Sequence, residues 1–355
     1  MRIDGLLHEV FKIDHDTFTN IASQIKYQSK MRVNVSNVPQ DGRFSFTVNK
    51  RKIDVRVSAL PTEYGESFVF RLLDSSKKLL SFEELGFSGP YLDKVIKLTE
   101  LSHGMILVTG PTGSGKTTTL YTMLSKFNQP EVKIITLEDP IEYHLPGINQ
   151  SQIDEKHGYD FASGLRSILR QDPEVIMIGE IRDLETASIA INASLTGHLV
   201  FSTLHTNDAA SAITRLLELG VQPYLVNATV LGVLAQRLVR TLCKQCRRPD
   251  DSAETRAALD AMARPWKITG TCQSYRAVGC VDCRMTGFLG RMGLYELLTV
   301  SQELKEKATQ SPDLESLRRQ AIADGMRPLR LAGALRVAEG LTTVEEVLSA
   351  TPAAD

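Results

Sequence analysis

Apolar and polar positions repeat with two different periods along this chain, and the change of period divides it. Near the N-terminus the period is two. In Arg43-Phe44-Ser45-Phe46-Thr47-Val48 every second residue is apolar, and Lys52-Ile53-Asp54-Val55-Arg56-Val57-Ser58 keeps the same alternation. Side chains of a strand point to opposite faces in turn, so this alternation predicts half-buried strands. A third strand is expected over 67–73, and a helical pattern over about 18–31 precedes all three. Residues 1–75 therefore read as a small α+β unit. Residues 74–90, with Ser75-Ser76-Lys77-Lys78, Gly86, Gly89 and Pro90, have a linker's composition, and the linker proper is placed at 76–90.

From about 91 to 240 the pattern changes. Short, mostly apolar runs at 105–109, 133–137, 175–178 and 199–203 alternate with helical stretches. That alternation predicts an α/β fold on a parallel sheet, whose strands are buried on both faces. Residues 241–298 carry the cysteines as a separate subdomain. Residues 299–355 read as mostly helical, broken at Gly325 and Gly340. There is no repeat and no low-complexity tract.

The first apolar run leads into Gly110-Pro111-Thr112-Gly113-Ser114-Gly115-Lys116-Thr117, and a helical pattern opening with Thr118 follows. Strand, glycine-rich loop and helix in that order make a phosphate-binding loop. The glycines let the backbone curl with its N–H groups inward, and the helix N-terminus adds partial positive charge. Lys116 supplies a point charge for the β- and γ-phosphates, and the Thr117 hydroxyl can ligate Mg²⁺. The expected ligand is Mg²⁺–ATP.

Two further strands end in carboxylates. Ile134-Ile135-Thr136-Leu137 runs into Glu138, Asp139 and Glu142, and Val175-Ile176-Met177-Ile178-Gly179 runs into Glu180. Carboxyl ends of parallel strands are where ligands bind, and a carboxylate there can orient water or hold the metal's shell. Asp139-Pro140 also suits a plain turn, and Glu180 also suits a helix cap. Gly179 stands where most P-loop enzymes have a metal-linked aspartate, which leaves Glu180 to act alone or with Glu138. His198 and His205 bracket the run 199–203; a neutral imidazole there can bond a phosphate or a catalytic carboxylate.

Cys243, Cys246, Cys280 and Cys283 form two CxxC pairs with 33 residues between them. Four thiolates leave a tetrahedral ion no open position, so the expected role is structural Zn²⁺. Cys272 lies between the pairs without a partner and is expected to be a packed thiol.

Composition narrows the classes. Net charge is −1, without the basic, aromatic-rich stripe of a strand binder, so a nucleic-acid partner is not expected. No apolar stretch approaches the roughly 18 residues of a membrane span. The N-terminus lacks a signal peptide's apolar region, and the expected compartment is the cytoplasm.

Four motifs in order (the phosphate loop, the carboxylate box at 136–144, Gly179-Glu180 with Ile181-Arg182-Asp183, and Thr196-Gly197-His198 with Thr203-Leu204-His205-Thr206) resemble the secretion ATPase superfamily. That superfamily comprises the type II secretion motor, general secretion pathway protein E, and the type IV pilus extension ATPases. The resemblance covers nearly the whole chain. It implies a RecA-like core at 91–240 preceded by a PAS-like domain, assembled as a homo-hexamer on the inner face of the inner membrane. The implied partners are inner-membrane platform and tethering proteins of the machine. It also implies nucleotide roles for Lys116, Thr117, Glu138, Glu180, His198 and His205, and nucleotide-reaching arginines at Arg56 and Arg71. The residues alone allow these arginines to be ordinary surface groups. The tetracysteine, Gly287-Phe288-Leu289-Gly290-Arg291 and Tyr295-Glu296-Leu297-Leu298 match the secretion and extension branch rather than the retraction motors. By this resemblance the chain starts inside the family's middle domain, as a truncated or a naturally short form. Two other classes, a nucleic-acid translocase and a non-hydrolysing regulatory module, stand against the missing basic stripe and the two carboxylate elements respectively.

Overall fold

The structure, a computed structural model, describes residues 1–74, 79–264, 266, 272–310 and 313–352. The chain divides into two compact units. The first comprises Met1–Lys78 together with Ile141–Leu145, and the second comprises Leu79–Pro140 and Pro146–Asp355.

The first unit opens with a two-residue hairpin, β1 (Arg2–Ile3) and β2 (Leu6–Leu7), followed by helix α1 (His15–Gln28). Asp14 caps α1 by accepting from Thr17 N, so the helix starts three residues before the helical pattern in the sequence is evident. Strands β3 (Gln40–Val48), β4 (Arg51–Thr62) and β5 (Gly65–Asp74) form an antiparallel meander. Val55, Val57 and Ala59 on one face of β4 pack with Met31, and Ile25, Phe44, Ile53 and Phe68 close around them. Lys26 is buried against Glu66 at 2.6 Å and donates to Val35 O.

The second unit begins at Leu79. Within the expected linker it forms α2 (Phe82–Leu85), with a capping box on Ser81 and Glu84, and then α3 (Gly89–Thr99); residues 75–78 lie outside the described part. Phe82 and Phe87 are buried, and Phe87 stacks on Tyr295 with ring centroids 3.9 Å apart. The segment 82–99 is thus part of the second unit's packing.

The core is a seven-stranded sheet. Its strands in chain order are β6 (Gly104–Thr109), β7 (Ile134–Glu138), β8 (Asn149–Gln152), β9 (Val175–Ile178), β10 (Leu199–Leu204), β11 (Val230–Leu242) and β14 (Phe288–Thr299). Their spatial order is β14-β11-β6-β10-β9-β7-β8. All pairings are parallel except β11 with β14. Helices α4 (Lys116–Ser125), α5 (Phe161–Ile168), α6 (Leu184–Leu195), α7 (Ala210–Glu218) and α8 (Pro223–Thr229) supply the crossovers. Strands β6, β7, β9 and β10 are buried along their whole length, which is why they read as mostly apolar runs without a polar alternation.

The cysteine segment is an insertion between neighbouring strands. Leu242, at the end of β11, pairs with Phe288 at the start of β14, and the cysteines lie between them. The insertion holds a short ribbon of β12 (Arg248–Pro249) and β13 (Tyr275–Arg276), and helix α9 (Ala253–Ala263). Residues 288–298, assigned to the subdomain from sequence, belong instead to the central sheet. Helices α10 (Gln302–Gln310), α11 (Leu314–Ala323), α12 (Leu329–Ala338) and α13 (Val344–Ala350) complete the C-terminal region. No helix among the described residues is long and apolar enough to cross a membrane.

Candidate nucleotide site and cysteine cluster

The phosphate loop leaves the carboxyl end of β6, the strand between β11 and β10. Gly110, Gly113 and Gly115 all have positive φ, at 150°, 79° and 89°. At Gly110 an added Cβ would lie 2.6 Å from Gln236 O and 2.7 Å from Ser114 Oγ, so only glycine fits. Helix α4 starts at Lys116 with no side chain capping its first turn, which leaves its N–H groups for an anion. Thr117 and Thr118 occupy that first turn, and Pro111 and Thr112 form the exposed crest of the loop. Ser114 is buried, and its Oγ has no hydrogen-bond partner. Lys116 folds back over the loop and donates to Gly110 O at 2.7 Å and Pro111 O at 3.2 Å. Burial, then the charge of Arg237, pulls the Lys116 pKa down, against the opposing pull of Glu180.

Glu180 follows β9 and faces this loop. Its Oε2 lies 3.5 Å from His205 Nε2, and its Oε1 accepts from Arg182, which also reaches Asp139 Oδ2 at 3.9 Å. Burial raises the Glu180 carboxyl, but Arg182, then His205 and Lys116, outweigh it and hold the pKa below the ordinary value. The expected alternative, a helix-capping glutamate, is answered by its neighbour: Asp183 caps α6 through Thr186 N. Gly179 has a geometric reason as well. An added Cβ would lie 3.2 Å from Leu137 O, where β7 and β9 approach closely. Burial and then Lys116 lower the His205 pKa, although Glu180 pulls it up, so the imidazole is neutral at pH 7.

Glu138 has different surroundings. It is buried at the end of β7 and accepts from Thr136 Oγ1 at 2.6 Å, from Gln150 Nε2 at 3.0 Å and from the Tyr121 hydroxyl of α4. Its carboxylate braces the sheet against the helix behind the phosphate loop. His198 does not join the cradle. It lies before β10, with Nδ1 2.9 Å from Ala193 O, at the opposite end of the strand from His205. A six-residue strand separates the two by about 20 Å.

The arginines belong to the first unit. Arg56 and Arg71 are directly paired across β4 and β5, and Arg43 on β3 is directly opposite Arg56. The result is a row of three guanidinium groups, of which the sequence pattern flagged two. Like charges directly opposite repel. Glu142, from the segment that packs with this unit, lies 3.7 Å from Arg56 and 3.9 Å from Arg71. Arg56 also donates to Ile141 O. Of the three carboxylates at the end of β7, one therefore serves the arginines.

The four cysteines converge. All four Sγ atoms lie within 4.8 Å of one another, with Cys243–Cys280 and Cys246–Cys283 at 3.8 Å and Cys280–Cys283 at 3.7 Å. Sulfurs at about 2.3 Å from a tetrahedral centre sit about 3.8 Å apart, so the cluster fits a metal ion. Backbone N–H groups of Gly279, Cys280 and Gly287 point at the sulfurs of Cys246 and Cys283. Cys272 is exposed, not packed.

Sequence reasoning missed Gln236 and Arg237 on β11. Gln236 donates to Ser114 O at 2.6 Å, and Arg237 donates to Asn207 O at 2.7 Å, beside the histidine loop. The one available signal was a Gln-Arg pair inside an apolar run, which has no motif attached.

A parallel sheet with a phosphate cradle at the carboxyl end of a central strand, and an ionised glutamate facing it two strands away, defines a P-loop ATPase. The chain matches the Type II/IV secretion system protein family over residues 1–349 and belongs to that family. It is 46% identical over 350 residues to Type II secretion system protein E of Aeromonas hydrophila, covering 99% of this chain and 69% of that protein. It is 45% identical over 352 residues to the type IV pilus assembly ATPase TfpB of Acinetobacter baylyi, covering 99% of this chain and 60% of that protein. The chain thus spans between 60% and 69% of these two relatives' lengths. Among solved structures, the crystal structure of the pilus retraction motor PilT with bound ADP matches with a TM-score of 0.64. That match is at 29% identity and covers 89% of this chain and 78% of the other.

Proposed function

We propose that this chain is the ATP-hydrolysing core of a type II secretion motor, turning over Mg²⁺–ATP to drive pseudopilus assembly and protein export. The observation that carries the reading is the grouping of Lys116, Glu180 and His205 around a cradle that only glycine can form. The phosphate loop and the free N-terminus of α4 hold the triphosphate, and the orphaned Ser114 hydroxyl fits a site built for a polar ligand. Thr117 would hold Mg²⁺, which neutralises developing phosphate charge when bound. Glu180, ionised and facing the cradle, orients and deprotonates the attacking water. His205, neutral and within reach of Glu180, senses the state of the γ-phosphate. Glu138 is a positioning residue behind the loop in this scheme. Arg56 and Arg71 add positive charge for a triphosphate. The cysteine cluster holds structural Zn²⁺.

By the family resemblance of its motifs, the working form is a homo-hexamer on the inner face of the inner membrane, with a platform protein as its partner. A second reading, a pilus extension motor, is favoured by one observation: TfpB is as similar as the secretion proteins are. A phosphate-release assay on the purified, zinc-loaded oligomer tests the core of the proposal. Wild type should turn over ATP, Lys116→Ala should not, and elemental analysis should return one zinc per chain. An inactive wild type, or an active Lys116→Ala, overturns the ATPase reading.

A further inference from the structure

The β11 pair Gln236–Arg237 lies outside every motif assigned above, yet it touches both sides of the nucleotide site. Successive residues of a strand point to opposite faces, so the two side chains work on opposite sides of the sheet. Gln236 is 1% exposed. Its Nε2 donates to Ser114 O, inside the phosphate loop, and its Oε1 is buried with no hydrogen-bond partner. Arg237 is 7% exposed. Its guanidinium donates to Gln236 O at 3.1 Å and to Asn207 O at 2.7 Å, and a Cβ at Gly110 would lie 3.3 Å from its Nη1. No carboxylate among the described residues lies within ion-pair distance of it. A buried cation bonded only to carbonyl oxygens is costly, and burial lowers its pKa.

The groups on the far side continue the connection. Asn207 precedes Asp208, whose Oδ2 pairs with Arg318 of α11 at 2.8 Å and whose Oδ1 accepts from Ser211 N of α7. The same loop is tied back to the end of β6, where Thr109 Oγ1 meets Thr206 Oγ1 at 2.7 Å. His205 lies at the start of this loop. Gln236 thus holds the phosphate loop and Arg237, its neighbour on β11, holds the histidine loop, so the pair together bridges the two loops.

We propose that Arg237, supported by Gln236, is a positioning residue that clamps the phosphate loop to the histidine loop and couples nucleotide state to α11 through Asp208 and Arg318. The inference rests on the nucleotide reading above. A planar fork with several donors bonds two carbonyls at once, whereas an ammonium on a flexible stem does not hold that geometry. Charge alone is thus insufficient, and Arg237→Lys should behave like Arg237→Gln.

The test compares wild type, R237Q and R237K as full chains. Steady-state ATP turnover is measured together with hydrogen–deuterium exchange of residues 314–323, with MgADP and with a non-hydrolysable Mg²⁺–ATP analogue. Wild type should show different α11 exchange in the two nucleotide states. Both variants should lose that difference and lose about tenfold in kcat, with KM for ATP within about twofold of wild type. A merely structural role would alter exchange equally in both nucleotide states and would be relieved by the lysine. An α11 response of wild-type size in either folded variant overturns the proposal, as does an unchanged kcat. Should R237Q fail to fold, R237K decides alone. If wild type itself does not hydrolyse ATP, the nucleotide reading fails; if it does and the variants match it, only the clamp fails.

Discussion

The carboxyl ends of β7 and β9 look alike in sequence and differ in physics. Each is an apolar strand that ends in a glutamate. Glu138 is 3% exposed and takes hydrogen bonds from three donors, so its buried carboxylate ties α4 and β8 to β7. Glu180 is partly exposed and bonded to one guanidinium, and its second oxygen faces an imidazole and, beyond it, the phosphate-loop lysine. A carboxylate buried under three donors offers water little access, whereas a partly exposed one with a single guanidinium on it admits it. Position on the strand brings a glutamate to the active edge, and the number of donors around it decides what it does there.

The largest expected effect separates the two. Glu180→Gln should reduce ATP turnover by about 10²–10⁴-fold while leaving nucleotide binding intact, because an amide cannot take a proton from water. Glu138→Gln should instead reduce folding stability. Its amide NH₂ must face a donor, at about 1–3 kcal/mol for an unsatisfied buried group. Turnover by the fraction that stays folded should fall much less than in Glu180→Gln. The measurements are single-turnover hydrolysis and denaturant unfolding on the same preparations. If Glu138→Gln loses turnover as severely as Glu180→Gln with its stability intact, the distinction between the two strand ends is wrong.

A third glutamate extends the comparison to a buried acid without a compensating cation in contact. Glu296 on β14 accepts from Ala209 N at 2.8 Å and Leu329 N at 3.1 Å, joining the N-termini of α7 and α12. Burial, with Asp208 adding repulsion, pushes its carboxyl up to about 7, against the two N–H donors and the charge of Arg318. A raised folded pKa means the folded state holds the proton more tightly. Its stabilising effect is full below the ordinary carboxyl value and fades as pH rises through about 7. The swing is up to about 3 kcal/mol. Unfolding of wild type between pH 5 and 8 should therefore show stability falling relative to Glu296→Gln, whose side chain does not titrate. Parallel pH curves for the two proteins would remove Glu296 as the titrating group.

Much of the parallel core was readable in advance because its strands are buried on both faces. Runs such as 105–109 and 175–178 lie within a residue of β6 and β9. The phosphate loop was equally legible, since positive φ at three glycines and a strand–helix context leave few other outcomes. What failed was information that lives in three dimensions. Nothing local distinguishes Glu138 from Glu180, because the donors on Glu138 come from α4 and β8. His198 and His205 look symmetrical about their strand, but only the carboxyl end of a parallel strand meets the ligand. The short helix at 82–85 was hidden in residues that resemble a linker, and its capping box and buried phenylalanine needed a partner before they signified a helix. Glu142, read with the strand-end carboxylates, found the arginines of the first unit because the chain after Pro140 packs with that unit.

The smallest expected effect concerns the imidazole opposite Glu180. Burial and the Lys116 charge lower the His205 pKa, and Glu180 only partly restores it, so the neutral ring persists below the ordinary histidine range. If neutral His205 is the working form, kcat should stay flat from pH 8 down to about 6.5 and fall only at lower pH. The expected loss is a few-fold, because protonation adds a hydrogen bond to Glu180 and competes with water for it without removing the base. His205→Gln keeps a neutral donor in place and should abolish this acid limb while retaining most of the activity at pH 7.5. An acid limb with the same midpoint in His205→Gln would assign the titration elsewhere.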